Sequence, residues 1–124
     1  MKIVANILVA IVAIEHIYIL ILEMFLWTTP RSLAAFGMTL EQAEMSKTLA
    51  ANQGLYNGFL AAGLVAGLLA PNAKTGYAFK LFFLICVTIA GIYGGMTASP
   101  RIVLIQAVPA IVALIFVWLS RNSA

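Results

Sequence analysis

The stretch VAIEHIYILILEMFLW, Val12 to Trp27, decides how this chain is read. It is apolar enough to cross a bilayer, yet it carries Glu15, His16 and Glu23. Ionisable side chains at membrane depth are costly to desolvate, so their presence marks a functional site or a specific pairing. Traced back to Ile3, the apolar run would make a helix roughly 37 Å long, enough to span with some tilt. Trp27 suits a membrane–water interface, and Thr28, Thr29 and Pro30 are expected to end the helix. Met1 and Lys2 followed by an apolar run resemble the start of a signal peptide. The run is too long for one, and no small-x-small cleavage pattern closes it, so a retained transmembrane helix is expected.

The remainder of the chain is similar in character. Of 124 residues, 64% are hydrophobic and 9% charged, with a mean hydropathy of +1.07. Soluble domains carry about 25% charged residues, so too little polar surface is present to cover a water-soluble core. The expected fold is all-α: an integral-membrane bundle of four transmembrane helices forming a single domain over residues 1–124. The spans fall at about 3–27, 49–70, 78–97 and 102–119. Thr39 and Gln42 have the spacing of a capping box, placing a helix start near Leu40, continuous with the second span. Pro71 and Asn72 stop that span, Ser99 and Pro100 form a tight turn, and Trp118 is a second interface marker. A three-span alternative would leave residues 102–119 in water, which their composition opposes.

Charge and cysteine usage narrow the partners. The formal charge of +3 arises from seven scattered Lys and Arg residues. No basic run or aromatic-interleaved stripe points to nucleic acid; the balance suits loops beside anionic membrane lipid. Lys2, Lys74, Lys80 and Arg121 fall on one side of the four-span topology, and Arg31, Lys47 and Arg101 on the other. This bias favours an orientation with both termini in the cytoplasm. The single cysteine, Cys86, has no intrachain partner for a disulfide and reads as a packing residue.

Counting inward from the helix ends at Trp27, Leu49, Thr97 and Ile102, the residues Glu23, Gln53, Tyr93 and Gln106 each lie four positions in. All four spans therefore contribute a polar group roughly 6 Å below one interface. Asn52, Tyr56 and Asn57 bracket that level, and Glu15 and His16 lie deeper, near the midplane. His16 and Glu23 are about 20° apart on the helix surface, with Glu15 turned away from them. Asn52, Gln53, Tyr56 and Asn57 fill an arc of about 140° on the second span. Gly54 and Gly58 face the other way as a GxxxG pair suited to a neighbouring helix or a second subunit. The expected site is a one-sided polar pocket. Glu23, Asn52, Gln53, Tyr56, Asn57, Tyr93 and Gln106 are its candidate ligand-binding residues, and Glu15 and His16 its candidate proton-transfer pair. With one His and one Cys, no metal is expected. No cofactor is expected either, and neither a nucleophile elbow nor a phosphate loop occurs.

With EHIYILILEMFLW and NQGLYNGFLAAGL in view, the chain resembles domain-of-unknown-function family 1304, small bacterial membrane proteins. The likeness covers nearly the whole chain. It is carried by Glu15, His16, Tyr18, Glu23, Met24, Phe25 and Trp27, and by the run from Asn52 to Phe59. It implies a multi-pass protein of the bacterial inner membrane and supplies no mechanism. The layout is also similar to the small multidrug resistance family, with four spans and a glutamate inside the first, though no motif is shared. Three functions fit these residues. The first is binding or modification of a small amphipathic or lipid-like molecule. The second is proton-coupled transport by a homodimer that uses Glu15. The third is a structural or assembly role in which the polar groups are packing contacts.

Overall fold

The computed structural model describes residues Met1 to Asn122, and the regular elements among them are all helical. They are α1 (Lys2–Met24), α2 (Pro30–Phe36), α3 (Leu40–Leu69), α4 (Ala73–Thr97), a π-helical segment (Val103–Ala107) and α5 (Val108–Leu119). The chain divides into two compact units: Met1–Ile14 together with the chain from Leu60 onward, and Glu15–Phe59.

In the first unit the core consists of small and branched aliphatic side chains. Ala5, Val9, Val12 and Ala13 of α1 meet Leu64 of α3, Leu84 and Val87 of α4, and Ala110, Ala113 and Val117 of α5. Their spacings of three and four along each helix form the single apolar stripe that helix packing requires. Asn72 caps α4, its side chain accepting from the amides of Lys74 and Thr75. The helix packs against both the π segment and α5. The π turn ends just before Pro109, which has no N–H and whose ring collides with the carbonyl four residues earlier in a regular α-helix. Widening that turn relieves the collision, with the Val108 amide donating to the Val103 carbonyl. The span expected at 102–119 is therefore a π turn leading into a helix, not a regular helix throughout.

The second unit holds the remainder of α1, all of α2 and the first part of α3. Helix α1 ends at Met24, three residues before the expected Trp27. The amides of Phe25 and Leu26 both donate to the Ile21 carbonyl, and the Thr29 amide and hydroxyl both bond the Leu26 carbonyl. Such local bonds compete with continued helix. Pro30, expected to terminate a helix, instead begins α2, where its missing N–H costs nothing. Gly37 closes α2 at φ 62°, a left-handed conformation in which a Cβ would be strained. The capping box forms as its spacing predicts. The Thr39 amide donates to Gln42 Oε1 at 2.9 Å, and the Gln42 amide to Thr39 Oγ1 at 3.1 Å. Helix α3 then runs unbroken for 30 residues.

Among the described residues two helices, α1 and α4, are long and apolar enough to cross a membrane. Residues Val103–Leu119 form a shorter apolar stretch.

In the first unit Gly91 packs directly against the backbone of the π segment. A Cβ on Gly91 would lie 2.7 Å from the Ala107 nitrogen and 3.0 Å from its Cα. Backbone cannot swing aside as a side chain can. Gly91→Ala is therefore expected to cost about 1–3 kcal/mol, read as a lower thermal unfolding midpoint. An unchanged midpoint would mean that the two segments do not pack this closely.

Candidate functional site

Ala5, Val9, Val12, His16 and Glu23 lie on one stripe of α1, at spacings of four, three, four and seven. Each is buried. At 100° per residue these spacings keep all five within an arc of about 60°, so the stripe that starts as aliphatic core continues as ionisable groups. His16 is 0% and Glu23 6% exposed. A carboxylate in such surroundings needs a donor. Asn57 of α3 provides one, its Nδ2 donating to Glu23 Oε1 at 2.6 Å.

The small side chains of α3 make this bond possible. A Cβ on Gly54 would stand 2.6 Å from Met24 Cγ, 3.0 Å from Glu23 Cβ and 3.3 Å from the Leu20 carbonyl oxygen. A Cβ on Gly58 would stand 2.6 Å from Leu20 Cδ1. Helix α3 thus lays its glycine face against α1, and Asn57, on the edge of that face, reaches the carboxylate. Beside the bond lies a hollow of about 110 Å³, lined by Glu23, Trp27, Ser46, Leu49, Ala50 and Gln53. Its rim is held by the Trp27 indole, whose Nε1 donates to Ser46 Oγ at 3.1 Å and whose ring meets Phe36 at 4.8 Å. Ser46 in turn donates to the Gln42 carbonyl at 2.7 Å. Arg31 of α2 donates to the Tyr18 hydroxyl at 2.9 Å, and this bond holds the guanidinium above its ordinary pKa.

The other expected site residues take varied positions. Glu15 is half-buried, its Oε1 4.0 Å from His16 Nδ1. That separation is too long for a hydrogen bond and forms an ion pair only when the imidazole is protonated. Gln53 joins Glu23 in the lining of the hollow although it is largely exposed. Asn52 is exposed and Tyr56 is 61% exposed, its ring packed on Phe59. In the first unit, Tyr93 is 68% exposed and Gln106 is half-buried within the π turn. No group of three metal-ligating side chains occurs among the described residues.

Trp27 and Ser46 escaped the sequence reading as site residues. A signal for Ser46 was present: Ala43, Ser46, Ala50, Gly54 and Gly58 recur at three- and four-residue spacing, a small-residue stripe that allows helices to approach. Ser32, fully buried on α2 with no hydrogen-bond partner among the described residues, had no such signal.

Comparison with known proteins adds a family. The one described as "Protein of unknown function (DUF1304)" matches residues 10–118. The chain is 36% identical over 117 residues to the uncharacterized protein YpaA of Lactococcus lactis subsp. lactis (strain IL1403), covering 93% of this chain and 97% of that one. No solved structure matches.

If the Glu23–Asn57 bond joins α1 to α3, removing the donor leaves a buried acceptor unsatisfied. Asn57→Ala should destabilise the protein by about 1–3 kcal/mol. In a double-mutant cycle with Glu23→Ala, the coupling should exceed about 0.5 kcal/mol. Strictly additive unfolding energies would show that the bond contributes nothing.

Proposed function

The chain belongs to the DUF1304 family, and we propose that it is a single-domain, four-span bacterial membrane protein that binds the polar end of a small amphipathic molecule beside Glu23. The membrane reading is supported by where the apolar side chains point. Only 28% of the apolar window of α1 and 22% of that of α4 is buried, whereas the core helix of a soluble protein is mostly buried. Ile3, Ile7, Ile11, Ile14 and Ile21 of α1, and Phe82, Ile85, Ile89 and Met96 of α4, are exposed. Exposed apolar side chains in this number call for lipid or a partner rather than water. Helix α3 and residues 103–119 supply the other two spans.

The binding reading rests on one observation: the Glu23 carboxylate, held by Asn57, borders a hollow whose other walls are Trp27, Leu49 and Ala50. A site with a few oriented polar groups against apolar walls favours an amphipathic ligand. The carboxylate is an acceptor, so the complementary head group is a donor, and a cationic amine completes a charge-assisted bond. Binding is favoured over chemical conversion because Glu23 and Gln53 line the hollow and Glu15 and His16 do not.

Trp27 provides the readout. The chain has two tryptophans, so Trp118→Phe leaves Trp27 as the only indole. In that background, dodecylamine added to the detergent-solubilised full chain should shift Trp27 emission saturably, and dodecanoate should not. Glu23→Gln should weaken the amine about tenfold or more. Equal affinity with Gln at this position, or an equal response to both amphiphiles, would remove the reading.

A further inference from the structure

The first unit contains a cavity of its own, of about 220 Å³, lined by Lys2, Lys74, Lys80 and Arg121 together with Tyr77 and Ser120. The charge around it is unbalanced. The chain has four acidic side chains, Glu15, Glu23, Glu41 and Glu44, and all lie within residues 15–59. The unit that holds the cavity has five cationic side chains and no side-chain carboxylate, and four of the five line this one space.

Lys80 is the unusual member. Lysine is almost never fully buried unless paired, yet Lys80 is 8% exposed. Its Nζ donates to the neutral Asn6 Oδ1 at 2.9 Å, which leaves two of its three donors for another acceptor. Its stem is held by close packing: a Cβ on Gly67 would stand 2.8 Å from Lys80 Cγ. Arg121 is pinned as well, its guanidinium 3.6 Å over the Trp118 ring and its Nη1 donating to the Trp118 carbonyl at 2.9 Å. The α4 N-terminal amides of Lys74 and Thr75 are already taken by Asn72, so any anion would be drawn by the side-chain charges. Four converging cations with no acid among them are mutually repulsive unless an anion sits between them. A guanidinium fork beside ammonium groups matches the several oxygens of a phosphate group better than a single carboxylate.

We infer that this cavity binds a phosphate group, carried either by an anionic phospholipid head group or by a free phosphate. The site is separate from the amine-binding reading of Glu23 and of opposite charge, so either can fail alone.

The test uses the full chain in phosphatidylcholine nanodiscs doped with phosphatidylglycerol, with bound lipid counted by native mass spectrometry and inorganic phosphate as competitor. Phosphatidylglycerol should be retained over phosphatidylcholine, and Lys80→Met and Arg121→Gln should each lower that retention about tenfold. Arg101→Gln, which removes the one cationic side chain of this unit outside the cavity, should leave retention unchanged. Arg121 is exposed, so its variant keeps the test decisive should Lys80→Met fold poorly. Displacement of the lipid by millimolar inorganic phosphate assigns the site to free phosphate, and retention against it assigns the site to the lipid head group; both support the inference. Retention that falls equally in Arg101→Gln, or that is unaltered in Arg121→Gln, overturns it.

Discussion

Desolvation of a carboxylate is the constraint on which the second unit depends. Glu23 lies on the buried stripe of α1, only 6% exposed, and an unpaired buried charge is among the most costly features a fold can contain. The Asn57 amide meets it at 2.6 Å. That contact requires α3 to come close, and closeness requires that Gly54 and Gly58 have no side chains where Leu20, Glu23 and Met24 stand. Polar pairing and small-residue packing are thus two parts of one arrangement: the glycines allow the approach, and the amide satisfies the carboxylate that the approach buries.

Charge is partitioned along the chain with unusual strictness. Every acidic side chain lies between residues 15 and 59, and five of the seven basic ones lie outside that range. Each compact unit therefore presents its own electrostatic character. Beside Glu23 the surroundings favour a hydrogen-bond donor, and around Lys80 they favour an anion. Both features draw on aromatic neighbours, Trp27 in one and Trp118 in the other. Indoles suit places where an apolar body meets a polar edge.

Departures from regular helix fall where local chemistry demands them. α1 stops at Met24 because carbonyl acceptors are shared and Thr29 competes for the Leu26 carbonyl. Val103–Ala107 widens into a π turn ahead of Pro109, carrying Gln106 with it. The ends of α2 and the start of α3 are set by Pro30, Gly37 and the reciprocal bonds of Thr39 and Gln42.

The sequence by itself determined the helical class, the start of α3 at its capping box, the stop before Asn72 and the shared face of His16 and Glu23. These follow from short-range geometry: cap spacing, proline chemistry and 100° per residue operate within one helix. The sequence did not determine which face of α3 meets α1. The polar arc from Asn52 to Asn57 and the glycine face are each plausible contact surfaces, and helical periodicity does not rank them. Tertiary packing decided for the glycines, because only they let the backbones approach closely enough for Asn57 to reach Glu23, and Asn52 and Tyr56 were left exposed. The gathering of Lys2, Lys74, Lys80 and Arg121 was likewise beyond any local reading. Most of these residues are separated by forty positions or more, and only the packing of α1, α4 and α5 brings their charges to one cavity.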